Sequence, residues 1–262
     1  MQDALTPLRR SAVYDAIIIS DTHLGSDNCQ ARQLTRFLEA IHDGDMPTQR
    51  LILNGDVFDS IDFRRLKKHH WKVLSLLRKL SDRIEISWIN GNHDGPAEIV
   101  SHLLGVEVRD EMIFESGSKR VLLHHGHRFD EFIDNHPILT ALADVVYRLL
   151  QKLDRSHHFA KLAKRKSKIF LRCAGKIEAK SIELARKMHC DFVCCGHTHH
   201  ALISKHEEVT YCNSGCWTEK PCHYLTVLDG QIELCEFSEN EPVINDFIEI
   251  DEPIRRRIPA MT

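Results

Sequence analysis

The feature that most constrains the fold is a recurrence of short apolar runs rich in Ile, Val and Leu. They are "AIIIS" at 16–20, "LILN" at 51–54, "IEISWI" at 84–89, "VLLH" at 121–124 and "DFVCC" at 191–195. Runs of this length and character read as buried strands. Between them lie helical patterns: 30–42, with Leu34, Phe37, Leu38 and Ile41, and 66–80, with Leu66, Val73, Leu74, Leu77 and Leu80. Strand alternating with helix predicts an α/β layered fold. The later stretches "TYCNS", "YLTVLD" and "QIELCEF", around Asp229-Gly230, read as further strands closed by a tight hairpin turn.

One region breaks the alternation. From 129 to 188 no convincing strand appears, and Ile138, Leu142, Val145, Val146, Leu149, Leu150 and Leu153 form an apolar stripe at helical spacing. The segment is far longer than a crossover needs, so a helical cap inserted at 129–188 is expected, splitting a core of 14–128 and 189–250. Within it, "KLAKRKSKIFLRCAGK" (161–176) carries seven basic residues and no acid. A solvated helix face is the plain reading of such a run. The functional reading places Lys164, Ser167, Lys168 and Arg172 against a substrate phosphate or an acidic membrane surface.

Composition narrows the classes. At 262 residues, 42% hydrophobic and 28% charged, the chain reads as soluble and globular with room for a sizeable core. A formal net charge of -3 gives no global attraction to nucleic acid, and no nucleic-acid partner is expected. Nine cysteines, an odd number in a long chain with no signal peptide, point to a reduced, cytoplasmic protein. Cys190, Cys194, Cys195, Cys212, Cys216 and Cys222 lie close in sequence without any C-x-x-C pair, so buried thiols are the favoured reading over zinc thiolates. No window has the roughly 18 uncharged apolar residues of a membrane helix, which leaves peripheral contact as the expected form of any membrane association.

The chemistry stands where the strands end. "AIIIS" gives way to "DTH", "LILN" to "GDVFD", "WIN" to "GNHD", "VLLH" to "HGH", and "DFVCC" to "GHTH". In open α/β sheets the carboxyl edge is where ligands bind, because loops fan out there from rigid roots. Glycines 55, 91, 126 and 196 adjoin the candidate ligands and allow turns that other residues resist. In extended chain, residues two apart project to one side, so Asp21 with His23, and His197 with His199, are expected to aim paired donors at one site. Asp21, His23, Asp56, Asn92, His125, His197 and His199 are too many ligands for one ion with open positions, but suit two ions bridged by Asp56. Mixed oxygen and nitrogen donors favour Mn, Fe or Zn over Ca or Mg. Two dications with two ligand carboxylates keep about two positive charges, a field that attracts phosphate. Ions about 3.5–4 Å apart then support two-metal hydrolysis of a phosphoester. The sequence lacks H-x-H-x-D-H, a phosphate-cradling loop after a cysteine, and a P-loop.

The ordered set "SDTHLG", "GDVFD", "GNHD", "HGH" and "GHTHH" resembles the calcineurin-like metallophosphoesterase superfamily over about residues 20–200. The resemblance implies a four-layered αββα sandwich, with the cap as an insertion. It implies that Asp21, His23, Asp56 and His199 bind one metal, and Asp56, Asn92, His125 and His197 the other. His93 matches the histidine that protonates or stabilises the leaving group, with Asp94 holding its proton and orientation, and Asp59 stands behind the ligands.

Closer still, "SDTHLGSDNC", "NGDVFD", "CGHTHH" and "YCNSGCW" resemble the UDP-2,3-diacylglucosamine hydrolases and their paralogues of lipid A synthesis. That likeness implies Mn-dependent cleavage of a pyrophosphate, releasing UMP and an acylated sugar phosphate at the inner membrane, with a helical cap around the acyl chains. His93 stands where the best-known branch has Arg, "HGH" where His-Gly-Asp is usual, and "SGCW" where an Asp often precedes the Trp. The first of these departures points to the paralogous branch or to a general phosphoesterase, and all three bear on the substrate while leaving the metal ligands intact. A phosphodiesterase or phosphatase for another small phosphorylated substrate is the enzymatic alternative. A noncatalytic scaffold retaining the fold is the alternative of another class.

Overall fold

The structure, a computed structural model, describes residues 13–95, 105–130 and 168–237. Strand β1 (Ala16–Ile19) leads to helix α1 (Ala31–Asp43), β2 (Arg50–Asn54), α2 (Lys68–Leu80) and β3 (Glu85–Ile89). After these come β4 (Val108–Arg109), β5 (Glu111–Ser116), β6 (Lys119–His124) and helix α3 (Lys168–Lys187). Strands β7 (Phe192–Cys195), β8 (Leu202–His206), β9 (Val209–Asn213), β10 (Cys222–Leu228) and β11 (Gln231–Phe237) complete the described chain.

The strands form two sheets, one ordered β11-β10-β1-β2-β3-β4 and the other β5-β6-β7-β9-β8. Each has a parallel run: β1 to β4 in the first, with the antiparallel β10 and β11 on one side, and β6, β7 and β9 in the second, with antiparallel β5 and β8 on either side. The period of two along each central strand explains the layering. Ile17 and Ile19 of β1, with Leu51 and Leu53 of β2, pack against Leu34, Phe37, Val73 and Leu77 of α1 and α2. Their neighbours Ala16, Ile18 and Ile52 turn the other way, onto Val121, Leu123, Cys194 and Cys212 of the second sheet. That sheet's outer face, Leu122, Val193, Cys195 and Tyr211, takes Ile182 and Ala185 of α3. The result is the four-layered αββα sandwich. Each fully buried aliphatic side chain in these layers contributes roughly 1.5–3 kcal/mol.

One sequence expectation falls outside the described residues and another changes. Residues 131–167, with the apolar stripe at 138–153, lie outside the described residues. The following part of the expected insertion, α3, is an outer layer of the core, because its buried residues pack on the second sheet. The thiols behave as small apolar groups: all nine cysteines are free, and Cys190, Cys194, Cys195, Cys212, Cys216 and Cys222 are buried.

Candidate metal centre

The parallel strands deliver their loops to one edge, and backbone hydrogen bonds continue past the strand ends. Asp21 N–H donates to Gly55 O at 3.0 Å, His23 N–H to Asp56 O at 3.0 Å and Leu24 N–H to Val57 O at 2.7 Å, locking the loop after β1 to the loop after β2. Within the second sheet the same pattern recurs, with Gly196 N–H on His125 O at 3.0 Å, and Trp217 N–H reaches across to Asp21 O at 3.0 Å. Asn213 Nδ2 donates to Gly196 O at 2.7 Å and to Thr198 Oγ1 at 3.2 Å, so the "YCNSGCW" stretch holds the "GHTHH" loop in place.

Eight non-glycine residues among those described have left-handed backbone, and five are Asp21 (φ 54), His23 (φ 45), Asp56 (φ 51), His197 (φ 64) and His199 (φ 57). That conformation costs roughly 1–2 kcal/mol per residue, so its concentration here marks loops shaped for side-chain direction. It also corrects the expectation of extended chain. Asp21 and His23 meet because both turn left-handed, and His197 and His199 separate into different groups. The glycines divide in a similar way. Gly126 (φ +109) needs its backbone freedom, Gly196 needs space, since a Cβ there would lie 2.5 Å from Asp21 Oδ2, and Gly55 (φ +87) needs both.

Three sets of donor atoms each lie within 4.8 Å of one another: Asp21, His23 and His199; Asp56, His125 and His197; and His23, Asp59 and His93. In the first, His199 Nε2 is 3.3 Å from His23 Nε2 and 3.2 Å from Asp21 Oδ1. In the second, His125 Nε2 is 3.1 Å from Asp56 Oδ2, which is also 3.8 Å from His23 Nε2. Asp56 therefore faces both sets with one oxygen, while its Oδ1 accepts the His93 N–H at 2.9 Å.

The protonation pattern fits a cation. His125 Nδ1–H donates to Asn54 O at 2.9 Å, which leaves a fully buried Nε2 with no hydrogen-bond partner, facing the Asp56 carboxylate. Without an ion, protons must do the neutralising. Burial alone would lower the His125 pKa, but the Asp56 and Asp21 carboxylates raise it to about 9. Burial works to raise both carboxylates as well, yet His199 and His125 bring Asp21 down to about 2, and His125 and His23 hold Asp56 well below its usual range. A buried set so dependent on positive charge, with imidazole and carboxylate donors and no thiolate, suits divalent Mn, Fe or Zn.

The surrounding residues sort themselves. Asp59 Oδ1 lies 3.5 Å from His23 Nδ1, and its other oxygen pairs with Arg65, the arrangement of a carboxylate backing a ligand histidine. His93 is exposed on the loop after β3, with Nδ1–H on the Asp59 carbonyl at 3.0 Å. Asn92 precedes it and is also exposed. Asp94 does not orient His93 as expected from their adjacency. Its buried carboxylate accepts the Phe58 and Gly91 N–H groups, each at 2.9 Å, and the Trp88 indole at 3.2 Å, tying the loops after β2 and β3 together. Of the expected substrate contacts, Lys164 and Ser167 lie outside the described residues, Lys168 begins α3, and Arg172 is exposed on that helix. Sequence reasoning missed Asp130, whose Oδ2 is 3.0 Å from His197 Nε2. The string "HGHRFD" contained it, but a 3-10 turn separates it from the end of β6, so it does not stand directly after a strand.

Two stacked sheets that bring carboxylates and imidazoles to a shared edge define the class: a layered α/β sandwich with a candidate metal centre at the carboxyl ends of its strands. The chain is a member of the calcineurin-like phosphoesterase superfamily, whose domain model matches residues 15–228. It is similar to the DNA polymerase II small subunit of Halobacterium salinarum, at 23% identity over 236 residues, which take in 81% of this chain and 45% of that protein. The chain thus spans about half the length of the curated relatives it matches. Among solved structures it is similar to Yfce, a phosphoesterase from E. coli, with TM-score 0.46 and 18% identity over 85% of this chain and 99% of that one. A novel archaeal phosphodiesterase is similar at TM-score 0.44 and 16% identity, over 84% and 98% of the two chains.

Proposed function

We propose that this chain is a dinuclear, metal-dependent phosphoesterase in which Asp56 is shared between two cations. The observation that carries the reading is the pair of donor sets meeting at Asp56 Oδ2, 3.8 Å from His23 Nε2 and 3.1 Å from His125 Nε2. Asp21, His23, Asp56 and His199 would hold one ion, and Asp56, Asn92, His125 and His197 the other. Mn suits this donor set, with Fe and Zn as alternatives. When bound, such a pair supplies water activation at neutral pH and positive charge for the phosphoryl oxygens. The chain's own groups do the rest. Asp59 holds the His23 ring from behind, and Asp94 fixes the loop that presents Asn92 and His93. With Nδ1–H fixed on the Asp59 carbonyl, His93 keeps Nε2 free to take up a proton, and as the imidazolium it would give that proton to the leaving oxygen.

For the substrate, we favour UDP-2,3-diacylglucosamine, cleaved at the pyrophosphate to UMP and 2,3-diacylglucosamine 1-phosphate. The likeness of "SDTHLGSDNC", "NGDVFD", "CGHTHH" and "YCNSGCW" to those hydrolases supports it, as does the exposed pair Leu171 and Arg172 on α3, apolar beside cationic. Lys164, Ser167 and Lys168 belong to the same reading, as does peripheral contact with the cytoplasmic face of the inner membrane through 129–188. No helix among the described residues is long and apolar enough to cross a membrane.

The test is turnover by Mn-loaded protein of UDP-2,3-diacylglucosamine, a simple phosphodiester and a phosphomonoester, side by side. Preference for the lipid supports the full reading, and turnover of the simple esters alone replaces it with a general phosphodiesterase or phosphatase. Two bound ions without turnover of any ester would favour the scaffold. His93→Ala is expected to lower kcat by about a hundred- to ten-thousand-fold with metal content unchanged. A variant as active as the parent would remove His93 from the chemistry.

A further inference from the structure

We propose that Asp130 is a positioning residue for one of the two cation sites: it accepts the Nε2–H of His197 and so reserves Nδ1 of that ring as the donor toward Asp56 and His125. The inference rests on the dinuclear reading above. His197 Nε2 and Asp130 Oδ2 are 3.0 Å apart, and their side chains are only 9% and 12% exposed. A neutral imidazole has one N–H and one lone pair, and the carboxylate decides which nitrogen carries which. The opposite tautomer would set the Nε2 lone pair against a carboxylate oxygen in a buried place, an unfavourable contact.

The backbone of His197 is held as firmly as its ring. Its N–H lies 3.1 and 3.0 Å from the two oxygens of Asp21, so the residue is fixed at one end by the first donor set and at the other by Asp130. Asp130 reaches this place through a short 3-10 turn at His127–Phe129, with Phe129 N–H on Gly126 O at 3.0 Å and Asp130 N–H on His127 O at 2.9 Å. One loop thus supplies His125 itself and the group that orients its partner. The first set has a separate backing carboxylate, Asp59 behind His23. The two sites are therefore tuned by different residues, and removing Asp130 acts on one of them.

The experiment is a calorimetric Mn titration of metal-free parent, Asp130→Ala and Asp130→Glu, with thermal unfolding of each metal-free form. Histidine ¹⁵N spectra of parent and Asp130→Ala accompany it, with the His197 signals assigned by their loss in His197→Gln. The parent is expected to take two ions. Asp130→Ala is expected to bind one as before and the other about 10–100-fold more weakly, with Asp130→Glu recovering part of the loss. The His197 ring is expected to change from a single Nε2–H tautomer to a mixture. If Asp130→Ala does not fold, Asp130→Asn serves in the same comparison, its amide a weaker acceptor. Two unchanged affinities, or two that fall together, overturn the inference and leave the dinuclear reading standing. A parent that takes up no metal overturns both.

Discussion

Gly55 and Gly44 share a left-handed backbone, with φ +87 and +88, but differ in what surrounds them. A Cβ at Gly44, past the end of α1, meets nothing within 4 Å, whereas one at Gly55 would sit in the His125 imidazole. Gly44→Ala is therefore expected to cost about 1 kcal/mol for the backbone alone. Gly55→Ala adds an overpacking cost of about 1–3 kcal/mol and displaces His125 from its set. Denaturant unfolding with Mn binding measures both effects. Equal destabilisation with intact binding in the two variants would show that the site does not need the close approach. Residues such as Gly55 were legible because they stand between an apolar run and a carboxylate. Asp130 was not, because a turn with no sequence periodicity carries it back to His197. Asp94 was legible as a member of "GNHD", but adjacency in sequence did not reveal that its carboxylate faces away from His93.

Among the elements, α2 carries its own pH sensor. The Lys67 N–H at its start donates to His70 Nδ1 at 3.0 Å, a bond that needs the imidazole neutral, and His70 is buried. Burial, together with the neighbouring His69, lowers the His70 pKa from 6.5 to about 4. Above pH about 6.5 both folded and unfolded chains hold this ring neutral, and its contribution to stability is complete. As pH falls toward about 4 the unfolded chain binds the proton first, so stability drops, on the order of 1–3 kcal/mol. Urea unfolding of the metal-free protein between pH 7 and 4 is expected to show this slope, and His70→Gln to flatten it. An unchanged slope in the variant would assign the effect elsewhere. Legibility at this scale followed burial. The central strands β1, β2, β3, β6 and β7 stand out as apolar runs because both faces are covered. Strand β5 did not, since "EMIFES" lies at a sheet edge with Glu111 at its start and Glu115 near its end, and β4 is only two residues long.

At the scale of the molecule, two sheets stacked face to face bring loops from 21 to 199 onto one edge, and the donor sets lie across the seam between them. The sequence made the layers legible through strand-helix alternation, while the separation of His197 from His199 depends on left-handed turns that no periodicity encodes. The central claim is a pair of cations sharing Asp56, and electron paramagnetic resonance of the protein loaded with Mn tests it most directly. Two ions per chain held about 3.5–4 Å apart are expected to give a magnetically coupled spectrum that Asp56→Asn abolishes. A single ion per chain, or an uncoupled six-line Mn signal at full loading, would contradict it.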